Sequence, residues 1–215
     1  MRRLMDLLAA AVAGLLLSPV LAVAALLVRS RLGRPVLFRQ RRVGRGGREF
    51  EIVKLRTMRP EAWSGEPDAD RDTTVGRALR ATSVDELPQL WNVLRGDMSI
   101  IGPRPTLPEQ VARYTERQHG RHAVRPGLTG WAQVNGRNSI SWPERIELDL
   151  WYIEHRSLAL DARIVLRTVL RLLRPSGIYG EGGVNIGFPI SDPASDQAAP
   201  STNDTASTTG QKSST

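Results

Sequence analysis

The chain has 215 residues, no cysteine and only three histidines. The absence of cysteine excludes a disulfide framework, a zinc–thiolate site and a cysteine nucleophile. The three histidines, His119, His122 and His155, do not have the spacing of a metal site, and they give little support to a Ser-His-Asp triad.

Lysine is also scarce, because 28 of the 30 basic residues are arginine and only Lys54 and Lys212 are lysine. The formal net charge is +8. The first 60 residues hold 13 basic and three acidic side chains, whereas the remainder is nearly balanced. Such a basic region favours contact with an anionic surface, which means lipid head groups, nucleic acid or a phosphorylated substrate.

An uncharged apolar run of 22 residues extends from Leu7 to Val28. As a helix it would measure about 33 Å, enough to cross the core of a bilayer. Ser18-Pro19 interrupts it, and an internal proline removes a hydrogen bond and bends a helix. Arginines flank both ends, and positive charge favours the cytoplasmic side. We predict a re-entrant helix that bends at Ser18-Pro19, with Ser18 bonded to a carbonyl that the proline frees.

Two other interpretations of this segment stay open. A straight helix would be a single-pass anchor, but it would carry one arginine cluster across the membrane. A secretory signal would be cleaved after Ala22-Val23-Ala24. The apolar run continues past that site and is followed by more arginine, which favours retention of the segment over its removal.

The remaining sequence predicts a mainly α-helical fold with one small β-hairpin. The hairpin is indicated by two β-prone runs, Val36–Phe38 and Phe50–Val53, around a Gly-rich connection. Residues 60–74 and 125–138 are predicted to be loops, the first mobile and the second structured. Apolar spacing and capping signals predict helices that begin at Leu87 and end at Gly96, lie within Glu109–His119, extend from the capping box Ser141–Glu144 to about His155, and cover Leu160–Leu173.

Arginines recur every three or four residues in the last of these helices, at positions 163, 167, 171 and 174. We predict that this basic amphipathic helix lies on anionic lipid. The alternative is a core helix with a charged outer face.

Asp85-Glu86 is the central candidate for chemistry. One interpretation is structural, since Ser83-Val84-Asp85-Glu86 has the spacing of a capping box at a helix N-terminus. In the other, one carboxylate is a nucleophile and the second binds Mg²⁺, which needs only one or two carboxylates besides substrate phosphates. Adjacent residues of a helix do not face each other, so the two acids suit two different tasks.

Three basic segments are candidates for phosphate binding. Lys54 is the one lysine before the C-terminal tail, and the alternative is a solvated strand end. Arg104 lies between two prolines, which either present it on a stiff frame or only make a rigid turn. The Gly-rich segment Arg125–Arg137 would let a backbone approach a ligand, or is only a connector. The sequence contains neither a Walker A motif nor a G-x-G-x-x-G fingerprint.

Five motifs together resemble the bacterial sugar transferase family, the monotopic phosphoglycosyl transferases that start glycan assembly on a lipid carrier. Each is modest alone, but their number and order are specific, and the resemblance extends from the apolar segment to about Tyr179. Members carry a membrane helix broken at Ser-Pro, as at Ser18-Pro19, and an Asp-Glu dyad that matches Asp85-Glu86. The motifs are Lys54–Met58, Arg80 with Ser83–Leu94, Gly96–Ser99, Gly102–Pro105 and Arg125–Arg137.

The resemblance implies a reaction in two steps. Asp85 attacks the β-phosphate of a nucleoside-diphosphate sugar, usually a UDP-sugar, which releases UMP and leaves a phosphosugar on the enzyme. Polyprenyl (undecaprenyl) phosphate then accepts the phosphosugar, which initiates cell-surface polysaccharide or glycoconjugate assembly. Mg²⁺ is required, with Asp85 and Glu86 as its ligands. The residues expected to bind substrate phosphate are Lys54, Arg56, Arg80, Arg104, Arg125, Gln133, Asn135 and Arg137.

In this interpretation the chain has three parts and lies at the cytoplasmic face of a bacterial inner membrane. Residues 1–34 form the membrane segment, residues 35–180 a catalytic domain with interfacial amphipathic helices, and residues 181–215 a disordered polar tail. A membrane-bound phosphatase or hydrolase would use the same carboxylates with water as acceptor. An arginine-rich nucleic-acid-binding protein would need stacking aromatics. Aromatic residues are only 5% of the chain, so we expect no nucleic-acid partner.

Overall fold

The computed structural model describes residues 2–63, 66, 68–136 and 140–173, which form helices around two small sheets. The mainly helical fold with a small hairpin is therefore confirmed, and a second sheet is added to it. Three 3₁₀ turns lie at Arg45–Gly47, Val84–Gln89 and Gly120–Ala123. The helices are α1 (Arg2–Arg31), α2 (Asp68–Arg71), α3 (Thr74–Thr82), α4 (Leu90–Arg95), α5 (Pro108–Val111), α6 (Glu116–His119), α7 (Trp131–Asn135), α8 (Trp142–Glu154) and α9 (Leu158–Leu173).

The predicted hairpin consists of β1 (Leu37–Val43) and β2 (Glu49–Leu55), which pair antiparallel over their whole length. The second sheet, which the sequence did not predict, pairs β3 (Ser99–Ile101) in parallel with β4 (Gly127–Thr129). Gly127 permits this pairing, because a Cβ on it would lie 2.1 Å from the backbone nitrogen of Gly102. The close approach that this glycine allows is therefore to another segment of the chain.

The two halves of α1 pack against the same body of the protein. Ala10 is buried in one cluster, and Ala24 and Val28 are buried in another. The side chains of residues 15–20, between the two halves, are exposed. Within the described residues, α1 is the one helix whose length and composition would allow it to cross a membrane. Its partners are Ile52, Leu90, Val93 and Met98 in the first half, and Leu55 and Leu79 in the second.

The middle of α1 contains the hydrogen bond that the sequence predicted. Pro19 has no amide hydrogen, so the carbonyl of Leu15 loses its usual helical donor. Ser18 Oγ donates to that carbonyl at 2.8 Å. A polar backbone group on the exposed, apolar part of the helix is thereby satisfied.

Both ends of α1 are attached to the body by charged groups. At the start, Arg2 forms an ion pair with Asp161 of α9 at 3.0 Å. At the end, Arg56 is buried and its guanidinium donates to the carbonyls of Leu32 and Arg34. Basic side chains near a helix C-terminus satisfy carbonyls that have no partner within the helix.

The segment around the acidic dyad differs from its prediction. Ser83 adopts the left-handed conformation (φ 58°, ψ 17°) and its side chain caps no helix, so the capping box at Ser83–Glu86 is wrong. Residues 84–89 form a 3₁₀ turn that includes Pro88, and the α-helix begins only at Leu90. Gly96 ends it in the left-handed conformation, as predicted.

Other elements confirm or correct the predicted boundaries. The capping box of Ser141 with Glu144 is present at the start of α8. The region predicted as a loop, 60–74, contains α2 and leads directly into α3, which the sequence missed. Glu66 in this region is buried, and Arg59 donates to its carboxylate, so it is anchored to its neighbours. The predicted helix within Glu109–His119 is two short helices, α5 and α6.

The exposed side chains of α9 are mostly apolar, and the exposed Arg163 and Arg167 lie among them. Arg167 donates to Asn135 Oδ1 at 2.8 Å, and Arg171 donates to the carbonyl of Gln133. Two of the four predicted basic residues therefore contact α7, while Arg174 lies outside the described residues. The exposed apolar side chains are Leu158, Val165, Leu166, Val169, Leu170 and Leu172.

Candidate active site

The acidic dyad lies in the 3₁₀ turn between α3 and α4, packed against β2 and α1. Asp85 is buried, with 5% of its surface exposed, and the Glu86 side chain is 18% exposed. The left-handed Ser83 reverses the chain between α3 and this turn, which places the acids beside the strand that carries Lys54.

The electrostatic surroundings of Asp85 set its protonation. Burial, with a further contribution from the Glu86 charge, raises the pKa of Asp85 to about 6. The positive charges of Lys54, Arg104 and Arg80 lower the pKa of Asp85, and Lys54 has the largest effect of the three. Asp85 is therefore mainly ionised at pH 7 despite its burial, and its carboxylate is available as a nucleophile.

Glu86 and Arg104 form an ion pair at the edge of the dyad. Arg104 Nη2 donates to Glu86 Oε1 at 2.7 Å, and its Nη1 lies 3.5 Å from Oε2. The Arg104 side chain is 54% exposed. Its guanidinium thus keeps accessible donors while the carboxylate holds it beside Asp85, a geometry suited to contact with a phosphate.

Lys54 and two arginines that the sequence missed surround this pair. Burial lowers the pKa of Lys54, and both dyad carboxylates counter that effect. Burial and the charge of Arg104 lower the pKa of Arg42 to about 10, and the same two causes lower the pKa of Arg145. Arg42 Nε and Arg145 Nη2 are buried without a hydrogen-bond partner among the described residues.

Strand alternation is the signal that would have identified Arg42. Gln40, Arg42 and Val43 are the residues of β1 that are at least partly covered, whereas Arg39 and Arg41 are exposed. Because Arg39, Arg41 and Arg42 lie within four positions of the sequence, residue type alone does not show which of them is partly buried. Arg145 follows the capping box of α8 and carries no comparable signal.

A buried ion pair supports the segment that carries Arg104. Arg121 and Asp149 are almost fully buried and contact each other at 3.0 and 2.6 Å. Arg121 also donates to Thr106 Oγ1 at 2.8 Å and to the carbonyl of Arg104 at 3.1 Å. These contacts fix the backbone on both sides of Pro105, and the sequence did not indicate them.

Three further arginines that were predicted to bind substrate phosphate contact other protein groups in the structure. Arg80 contacts Asp72 and is near enough to lower the pKa of Asp85. Arg56 contacts the end of α1, and Arg125 donates to the carbonyl of Gly96. The structure thus brings Lys54, Arg80 and Arg104 to the dyad, and shows Arg56 and Arg125 in contacts elsewhere.

Gln133 and Asn135 lie on α7, whose contacts are with α8 and α9. The amide oxygen and nitrogen of Gln133 are buried and have no partner among the described residues. Buried polar groups are normally hydrogen-bonded. A water or ligand next to this amide would supply the missing hydrogen-bond partners. Arg137 lies outside the described residues.

The donor set of the dyad is suited to a magnesium ion only if substrate completes the coordination. Asp85 and Glu86 supply hard oxygen ligands, but no group of three histidine, cysteine or acidic side chains occurs in the part of the chain that the structure describes. Mg²⁺ is commonly held by one or two carboxylates together with substrate phosphates. The residues therefore fit Mg²⁺ bound with a diphosphate.

Comparison with known proteins decides the family. The model of a family described as bacterial sugar transferase matches residues 1–175. The chain belongs to the bacterial sugar transferase family. The resemblance of the five motifs is therefore confirmed, as is the prediction that the protein is a sugar transferase enzyme.

Three relatives show the breadth of this sugar transferase family. An uncharacterised sugar transferase of Bacillus subtilis, EpsL, is 46% identical over 181 residues, which cover 83% of this chain and 90% of the relative. A Caulobacter vibrioides UDP-glucose:undecaprenyl-phosphate glucose-1-phosphate transferase is 46% identical over 83% of this chain and 72% of its own length. The Rhizobium meliloti exopolysaccharide production protein ExoY is 37% identical over 83% of this chain and 88% of its own.

Proposed function

We propose that this sugar transferase moves a sugar 1-phosphate from a UDP-sugar to undecaprenyl phosphate and so initiates the assembly of a polysaccharide. The Caulobacter relative is named for this reaction with UDP-glucose. The observation that carries the proposal is the burial of the Asp85 carboxyl group close to the positive charges of Lys54, Arg80 and Arg104.

In the first step, an oxygen of the Asp85 carboxylate forms a bond to the β-phosphorus of the donor. The bond from that phosphorus to the bridging oxygen breaks, and UMP leaves with the electron pair. The phosphosugar remains on Asp85 as an acyl phosphate. Lys54, Arg104 and Arg42 supply positive charge where the phosphate oxygens gain negative charge.

In the second step, a phosphate oxygen of undecaprenyl phosphate forms a bond to the same phosphorus. The acyl phosphate bond breaks, which restores the Asp85 carboxylate and gives undecaprenyl-diphosphate sugar. Both steps move a phosphorus between oxygen nucleophiles and need no redox cofactor. A bound Mg²⁺ would neutralise charge on the diphosphate in the first step.

We propose that α1 is re-entrant and places this site at the cytoplasmic face. A straight crossing would carry one half of the helix away from a body to which both halves are packed. The exposed residues 15–20 are then the part that enters the bilayer. The apolar outer face of α9 lies in the interface beside it. Anionic lipid would interact with the flanking arginines.

The test of the covalent route is an incubation with UDP-glucose in the absence of acceptor. We expect release of UMP and an added phosphosugar mass on the peptide that contains Asp85. Asp85→Asn should abolish both, whereas Glu154→Gln, an exposed acid on α8, should leave both intact. UMP release that requires undecaprenyl phosphate, without an adduct, would show direct transfer in a ternary complex instead.

The phosphatase or hydrolase alternative is separated in the same experiment by the final product. Transfer yields undecaprenyl-diphosphate glucose in the lipid extract. Hydrolysis yields free glucose 1-phosphate in the aqueous phase whether or not the acceptor is present. Exclusive formation of the aqueous product would contradict the proposed function.

A further inference from the structure

A second basic site lies at the N-terminal end of α1. A cavity of about 160 Å³ opens there, much larger than the roughly 10–15 Å³ that admits one water. Neither dyad acid lines it, nor does Lys54 or Arg104. Its charged lining consists of one carboxylate and five guanidinium groups, Asp6, Arg2, Arg3, Arg45, Arg125 and Arg156.

Both carboxylate oxygens of Asp6 in this cavity already accept hydrogen bonds from protein groups. Ser99 Oγ donates to Asp6 Oδ2 at 2.7 Å, and the amide of Ile100 donates to Oδ1 at 3.0 Å. Arg2 has its own partner in Asp161. The arginines of the cavity therefore exceed its acids in charge, even when Asp161 is included.

Several of these arginines are held in place without being neutralised. Arg3 donates to the carbonyls of Leu94 and Met98, and Arg125 donates to that of Gly96. Carbonyls orient a guanidinium but leave its charge. Among the described residues, no carboxylate lies within ion-pair distance of Arg3, Arg45, Arg125 or Arg156. Arg156 Nε is buried without a hydrogen-bond partner. An anion with several oxygens, such as a phosphate ester, would meet these donors.

The surroundings of the cavity favour a lipid as the source of that phosphate. Arg2 and Arg3 begin α1, where Leu4 and Leu8 are 62% and 59% exposed. Arg156 precedes α9, where Leu158 is 53% exposed. Apolar surface thus extends from the basic cavity along two helices, as acyl chains would require. We propose that this cavity binds the phosphate head group of an anionic membrane lipid, with its acyl chains against α1 and α9.

The experiment titrates the purified full-length chain in non-ionic detergent with short-chain phosphatidylglycerol and, separately, with inorganic phosphate. We expect one equivalent of phosphatidylglycerol to bind. Arg45→Gln should weaken it about fivefold, from the contribution of one arginine to binding an anionic lipid surface. Arg45→Gln with Arg156→Gln should weaken it further. Arg48→Gln with Arg113→Gln removes the same charge from exposed positions that do not line the cavity, and should change affinity little.

Equal weakening by the two double variants would overturn the site, because only total charge would then matter. Inorganic phosphate that binds as tightly as phosphatidylglycerol would overturn the lipid assignment. Arg45 is exposed, so Arg45→Gln alone keeps the test valid if the double variant is unstable. Because binding is measured without UDP-sugar, the result is independent of the transfer reaction.

Discussion

Arg104 and Glu86 form a two-point ion pair, with 2.7 Å between Nη2 and Oε1. The pair joins the rigid segment after β3 to the turn that carries Asp85. Glu86 is therefore in a position to hold either an arginine or, together with substrate phosphates, a cation. Binding of Mg²⁺ by Glu86 can be measured separately from the contact of Glu86 with Arg104.

Glu86→Gln should reduce the maximal rate of UMP release. It should also raise the Mg²⁺ concentration at which UMP release reaches half of its maximal rate. An amide is a poorer ligand for a hard cation, and we expect a rise of at least about 10-fold. Glu147→Gln is the matched control, because Glu147 forms an ion pair with Arg117 at the surface. An unchanged Mg²⁺ dependence in Glu86→Gln would restrict Glu86 to positioning Arg104.

Asp85→Asn should make the folded protein more stable at neutral pH. The pKa of Asp85 rises from 3.8 to about 6 on folding, so the folded state favours the neutral acid. The charged form therefore destabilises the protein increasingly as pH rises from about 4 to above 6. The full shift corresponds to roughly 3 kcal/mol.

Thermal unfolding of both proteins at pH 4.5 and pH 7.5 measures this effect. The melting temperature of Asp85→Asn should exceed that of the wild type at pH 7.5, and the difference should shrink at pH 4.5. A variant that is less stable at pH 7.5 would support a structural role for the carboxylate. In the wild type, activity should fall as pH drops below about 6, because the nucleophile becomes protonated.

The fold near the site was predictable where a local signal determined it. Gly96 ended a helix because no Cβ opposes its left-handed conformation, and Ser141 with Glu144 formed the capping box. The dyad was found as a motif, but its 3₁₀ turn was not. Pro88 lacks the donor for an α-helical bond, and Ser83 adopts a positive φ that is uncommon for serine.

Contacts between distant segments explain the features that were missed. The parallel pairing of β3 with β4 involves only three residues on each strand, too few for a periodic signal. Arg121 and Asp149 lie 28 positions apart, and either alone resembles a surface charge. The basic cavity unites residues from five separate segments. Which of the 28 arginines line this cavity depends on the packing of distant segments, and the local sequence carries no signal for it.

Arg121→Met should destabilise the protein by about 3–5 kcal/mol, because Asp149 would stay buried without its partner. Asp149→Leu should do the same for Arg121. The double variant should recover part of the loss, since it leaves neither charge unpaired. Chemical denaturation of the three variants provides the energies. Additive losses in the double variant would show that the two residues act independently.

The proposed topology can be tested with cysteine labelling, because the native chain has no cysteine. One cysteine is placed before Met1 and, in a second protein, one replaces Arg113. A membrane-impermeant maleimide added to intact cells should label neither, and it should label both after permeabilisation. Pro19→Ala restores the amide donor for the Leu15 carbonyl and should let a fraction of the N-termini cross. Val20→Ala, its exposed neighbour, is the control. Labelling of the N-terminal cysteine in otherwise unaltered protein would establish a spanning helix.

The apolar face of α9 gives a prediction about membrane contact that is separate from α1. Leu166 and Leu170 are 60% and 54% exposed in the structure. If lipid covers them, Leu166→Cys and Leu170→Cys should react slowly with a water-soluble maleimide in membranes. Arg113→Cys, at an exposed polar position, should react quickly, and all three should react alike after denaturation. Fast reaction at positions 166 and 170 would place this face in water and leave α1 as the membrane attachment of the described chain. Slow reaction would place α9 in the interface, next to the helix that Arg2 and Asp161 attach to it.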